Sequence, residues 1–138
     1  MRASQLKQQL LELALKTHDN VEEQEEAKER LTEHMNVFQQ DEELLSFLKQ
    51  CMEQPWFHGC LTRNKFDTIE EDIGKSNRFF GYLSRSEPGE ITIMTSRRIP
   101  KGNNTIKSYI VMDGKRYTDW VDLQIDIEGK IPINREGL

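Results

Sequence analysis

The stretch Trp56-Phe57-His58-Gly59-Cys60-Leu61-Thr62-Arg63 divides the chain into two textures. No glycine occurs before Gly59, and apolar residues there recur at helical spacing. Pro55 closes that part, because the residue before a proline avoids the helical region. Beyond the stretch, Thr62 is placed to cap a short helix over about 63–73. Phe66, Ile69, Glu70 and Ile73 stand at helical spacing within it, and Gly74 is its stop. A second block, Phe79-Phe80-Gly81-Tyr82-Leu83-Ser84-Arg85-Ser86, then reads as a strand.

Working back toward the N-terminus, residues 1–54 read as helices. Leu6, Leu10, Leu13 and Ala14 form one stripe, widened by Leu11 and Leu15. Asp19 or Asn20 caps a second helix, with Glu22 and Glu23 at the positive end of its dipole. Its apolar positions, Val21, Ala27, Leu31, Met35 and Phe38, make a narrow stripe. Asp41 caps a third helix carrying Leu44, Leu45, Phe47, Leu48, Cys51 and Met52. With no glycine linker, these helices are expected to pack on the part of the chain beyond Pro55. His18 and His34 are assigned polar helical surroundings and no function.

Working forward, strands are expected over Arg78–Arg85, Glu90–Arg97, Thr105–Met112 and Arg116–Glu128. Ser86-Glu87-Pro88-Gly89 and Asp113-Gly114-Lys115 carry hairpin turn chemistry, and Pro100–Asn104 is a loop. A helix followed by a meander of antiparallel strands is an α+β arrangement. The chain therefore divides into a helical N-terminal extension, 1–54, and an α+β domain, 55–138.

Composition narrows the function classes. At 138 residues, with 36% hydrophobic and 31% charged residues, the chain supports one modest core and a large solvated surface. No apolar run approaches a membrane span, and the first residues lack the apolar segment of a signal peptide. A cytoplasmic, soluble protein is expected. Cys51 and Cys60 form no disulfide framework, and with His58 they make three ligands where a structural zinc site wants four, so no metal and no cofactor is expected.

The net charge of −5 is unevenly spread: residues 1–54 hold 6 basic and 12 acidic side chains, residues 55–138 hold 13 and 12. Within 75–116 there are 9 basic side chains against Glu87, Glu90 and Asp113. A basic patch on an acidic protein suits a small anion better than nucleic acid, which the remainder repels. A Cys–His pair exists without an orienting third group, and no Gly-rich phosphate loop occurs. The acidic run Glu22–Glu33 reads as a solvated helix face. The chain reads as non-enzymatic.

The two quoted blocks resemble an SH2 domain, whose opening reads W-[FY]-x-G-x-[IL]-x-R and whose central strand reads F-L-V-R-x-S. Ile106-Lys107-Ser108-Tyr109-Ile110-Val111 is similar to the family's V-K-H-Y-K-I strand, with Ser108 where histidine is usual. The resemblance covers about 56–118. It implies a central antiparallel sheet with a flanking helix, and phosphotyrosine peptides as partners. By the same resemblance Arg63, Arg85 and Lys107 supply charge, and Ser84 and Ser86 supply hydroxyls.

The family's buried arginine has two candidate registers here. In one, Arg85 is that arginine and the following loop is short. In the other, anchored on Pro88-Gly89, Tyr82 takes the arginine's place and Ser84 the family serine's. Strand alternation puts Phe80, Tyr82 and Ser84 on one face and Phe79, Gly81, Leu83 and Arg85 on the other. A pocket-facing Arg85 then needs the first register or a twist at the strand end. Arg85 is expected to bind phosphate either way. The alternative is an SH2-like fold that has lost this site and serves for docking.

The end of the chain departs from the family. Val121, Leu123, Ile125 and Ile127 alternate with Asp122, Gln124, Asp126 and Glu128, a strand period; the alternative is a helix over 119–128, round which the apolar residues would spread. The family's second helix, which walls a pocket beyond the phosphate, is not evident there. Little selectivity for residues flanking the phosphotyrosine is therefore expected.

Overall fold

The computed structural model describes residues 2–73, 78–95, 110–112, 115–117 and 120–137. Three helices open it: α1 (Arg2–Thr17), α2 (Val21–Phe38) and α3 (Glu42–Met52). Asn20 caps α2 by accepting the Glu23 N–H, and Asp41 caps α3 by accepting those of Glu43 and Leu44. Each cap satisfies amides that the first helical turn leaves without a partner. Along α1 the buried positions are Leu6, Leu10 and Ala14, while Leu15 is exposed. Val21 is exposed too, so the buried stripe of α2 starts at Ala27.

After Pro55 the backbone of 56–59 runs alongside the strand β1 (Arg78–Leu83), with a parallel bridge from Phe57 to Gly81. The amides of His58 and Leu83 donate to Gly81 and Gly59 carbonyls, and Gly81 N–H donates to Trp56. Between these segments lies α4 (Arg63–Ile73), the helix expected over 63–73. Thr62 sits at its start, yet its hydroxyl donates to Glu23 of α2 at 3.0 Å rather than capping the helix. Gly74, expected as the stop, lies outside the described residues.

The sheet is mixed, with β1 between β2 (Ile91–Thr95) and β5 (Ile131–Pro132), and with β3 (Ile110–Met112) and then β4 (Lys115–Tyr117) beyond β2. β2 pairs antiparallel with β1, from Leu83↔Ile91 to Phe79↔Thr95. The expected antiparallel meander ends there. β3 is parallel to β2, and β5 is parallel to β1. A parallel neighbour requires a long connection, and residues 96–109 supply that length between β2 and β3. β4 returns antiparallel to β3, with Met112 opposite Lys115. The turn residues, the loop Pro100–Asn104 and the outer part of the expected strand Thr105–Met112 lie outside the described residues.

The C-terminal expectation is corrected. Among the described residues, the expected strand Arg116–Glu128 is strand only to Tyr117, where β4 ends, and a helix, α5 (Trp120–Ile127), follows. A two-residue alternation also contains i, i+4 pairs. Leu123 and Ile127 form the pair that is buried, and Val121 and Ile125 form one left exposed. A short 3-10 turn, Arg135–Gly137, then ties back, with the Arg135 N–H donating to the Pro55 carbonyl.

Each face of β1 belongs to a different core. Phe80 and Tyr82 pack with Leu61, Ile69 and Ile73 on the α4 side. Phe79 and Leu83 join Trp56, Leu123 and Ile127 in a larger core that includes Leu10, Leu31, Phe38 and Leu48. The expected alternation of β1 is thus present, and helices α1–α3 share one core with the sheet. Trp56 lies at the junction, stacked on Trp120 at 6.4 Å and edge-on to Phe79 at 5.4 Å.

None of the helices among the described residues is long and apolar enough to cross a membrane. Cys51 and Cys60 are free and buried, and burial pushes the Cys60 thiol up to about 12.

Candidate anion-binding site

β1 stops at Leu83, and Ser84 closes the ladder by donating its N–H to the Glu90 carbonyl. Arg85 lies past the end of the strand and so escapes its alternation. Instead of facing the α1–α3 core it turns to the α4 side, its guanidinium 6.0 Å above the Phe66 ring. Burial lowers its pKa, and the neighbouring positive charges of Arg30 and Arg63 lower it further. Glu26 and Asp67 oppose that effect. Nε of Arg85 is buried and meets no hydrogen-bond acceptor among the described residues.

Arg63 begins α4, exposed, 3.6 Å from the Asp67 carboxylate one turn on. Arg30 comes from α2, and its Nη1 donates to the Arg85 carbonyl. Arg30 thus touches the loop that carries Arg85, and the charges of Arg30 and Arg63 bear on the Arg85 guanidinium, as do those of two carboxylates, Glu26 and Asp67. Such a group of like charges favours an anion, and each guanidinium presents five N–H donors in a planar fork.

The other expected site residues divide. Ser84 is buried, and its Oγ accepts the N–H groups of Ser86 at 3.2 Å and Glu87 at 3.0 Å. Those loop amides are turned inward onto a serine. Ser86 is exposed, with its Oγ 3.5 Å from that of Ser84. Lys107, and with it Arg97, Arg98 and Tyr109, lies outside the described residues. Tyr82, the rival for the arginine position, is buried against Phe66 and Phe80, and burial raises its hydroxyl pKa.

The histidines expected in polar surroundings are buried instead. His34 donates from Nε2 to the Ser84 carbonyl at 2.8 Å and accepts the Gly89 N–H at Nδ1 at 2.9 Å. His18 donates from Nδ1 to the Ala14 carbonyl at 2.8 Å and accepts the Thr62 N–H at Nε2 at 3.1 Å. In each case one ring nitrogen donates and the other accepts, which fixes the orientation of the ring. Burial lowers the His34 pKa to about 4, with Arg30 adding to the effect. Spacing carried the signal: His34 continues Ala27 and Leu31 along α2, and His18 continues Leu10 and Ala14. Arg30 left no such signal, because one arginine on an acidic helix looks like surface.

On the other side of the sheet, an open groove of roughly 490 Å³ lies between α5 and β5. Val121, Gln124, Ile125, Glu128, Lys130 and Pro132 line it, along with Trp56 and Phe79. Comparison with known protein families, with curated proteins and with solved structures gave no match.

Proposed function

We propose that the chain is a phosphotyrosine-peptide binding module of SH2-like design, acting by recognition without chemistry. The observation that carries this reading is the Arg85 guanidinium. It lies over Phe66 beside Arg63, with a buried Nε that has no acceptor among the described residues. A phosphate of charge about −1.5 to −2 offers acceptors to that donor and relieves the crowding of positive charge. The parallel pairing of Trp56–Gly59 with β1, with α4 on one face and α5 on the other, adds support of a general kind. The partners are then tyrosine-phosphorylated proteins.

Free phosphotyrosine titrated against the wild-type chain and Arg85→Ala tests the reading. Losing one partner of a charge-assisted pair costs ~2–5 kcal/mol, which lifts a micromolar dissociation constant to roughly millimolar. Arg63→Ala costs less, since Arg63 is exposed. Equal affinity of Arg85→Ala and wild type overturns the assignment.

One observation favours a second reading, a docking domain without a phosphate site. The Ser86 and Glu87 amides, which the family's loop would turn toward phosphate, are engaged by Ser84 Oγ. Absence of any phosphotyrosine binding by the wild-type chain would select that reading.

A further inference from the structure

Helix α2 stands against the loop that carries Arg85. His34 holds the loop at both ends, through the Ser84 carbonyl and the Gly89 N–H. Gly89 has φ +85°, and a Cβ there would lie 2.3 Å from Cγ1 of Val37, so α2 and the loop touch without space between them. One turn before His34 on the same helix, Arg30 reaches the Arg85 carbonyl. That bond uses one N–H of its guanidinium and leaves the rest of a fork with five donors.

We infer that α2 is a wall of the anion site itself: Arg30 binds the phosphate together with Arg63 and Arg85, so phosphate binding requires the docked helix. The inference rests on the phosphotyrosine reading above and extends it to a residue outside the resemblance. In the free protein the three positive charges repel one another, and the carboxylates of Glu26 and Asp67 offset them in part. A dianion seated among them removes that repulsion, which is the differential interaction a ligand needs to favour the docked arrangement. A carbonyl-only role for Arg30 would need a donor there but no charge.

That difference supplies the test. Free phosphotyrosine is titrated against the wild-type chain, Arg85→Ala and Arg30→Gln at several salt concentrations. The glutamine keeps an N–H donor for the Arg85 carbonyl and removes the charge. Arg30→Gln is expected to bind about tenfold or more weakly, the scale of one charge-assisted hydrogen bond, and with a shallower salt dependence. Affinity within about twofold of wild type overturns the inference, as does weaker binding with an unchanged salt dependence. In the wild-type chain, the Nε–H resonance of Arg30 should shift along the same titration curve as that of Arg85. No shift overturns the inference even where Arg30→Gln does not fold. A wild-type chain that binds no phosphotyrosine overturns the functional reading and the inference together. A binding wild type with a silent Arg30 overturns the inference alone.

Discussion

The N–H of Gly89 donates to Nδ1 of His34, joining a loop of the sheet to a helix 55 residues earlier in the chain. The opposite ring nitrogen donates to the Ser84 carbonyl, so the bond pair exists only while the imidazole is neutral. A protonated ring has no acceptor to offer Gly89, and it places a cation beside Arg30.

Acid should therefore weaken the fold through this contact. The folded-state pKa of His34 is lowered to about 4 from 6.5, so between those values the unfolded chain binds the extra proton. The contribution is complete above about pH 6.5 and is lost as pH falls toward 4, some 3 kcal/mol in all at ~1.4 kcal/mol per pKa unit. His58, also lowered by burial, acts with the same sign. Urea unfolding of the wild type and His34→Leu across this range checks it. The variant should be destabilised at pH 7 by ~2–4 kcal/mol for two orphaned backbone groups, with a flatter pH profile. Parallel profiles would remove His34 as the cause.

Gly81 faces the indole of Trp56 so closely that a Cβ would lie 2.6 Å from Cζ3 and 3.0 Å from Cε3. The ring has little room to retreat, being stacked on Trp120 and edge-on to Phe79. Gly81→Ala is expected to cost ~1–3 kcal/mol of overpacking and to alter the tryptophan near-UV signal. An alanine variant with wild-type stability would mean that the indole shifts freely.

Helices α1–α3 and the sheet share one core, so the N-terminal segment is expected to fold with the rest. Deleting residues 1–40 removes Leu6, Leu10, Leu31, Met35 and Phe38, and leaves Leu44 and Leu48 without cover. Several kcal/mol are at stake, and the melting temperature of 41–138 should fall by at least ~10 °C. An unchanged melting temperature would make the helices an independent appendage.

Local signals were legible where one segment sufficed. Asn20 and Asp41 announce their helices, 63–73 carries its own periodicity, and β1 alternates between two cores. What escaped depends on partners distant in sequence. The alternation over Val121–Glu128 argues for a strand on its period alone, and it is the packing of Leu123 and Ile127 that selects the helix. Parallel and antiparallel neighbours of β2 read alike in sequence. Arg85 was legible as a candidate ligand because of its motif, whereas Arg30 reaches the same corner only through the fold.

The expected lack of selectivity loses its first ground, because 121–127 is helical. A different ground replaces it. The groove beside α5 is lined by Phe79 and Pro132, at the starting end of β1 and on the face of the larger core. Arg85 lies past the other end of that strand and on the α4 face. At ~3.3 Å per residue, Phe79 and Leu83 are roughly 13 Å apart along the strand, and Arg85 lies beyond Leu83 with the sheet between the two sites. A peptide anchored at Arg85 would have to pass round the sheet to reach the groove. Phosphotyrosine peptides of unrelated flanking sequence should then bind with similar affinity, and Ile125→Ala should leave that affinity unchanged. An array with more than about a hundredfold spread set by one flanking position, some 2.7 kcal/mol, would mean that a selecting pocket lies within the peptide's reach.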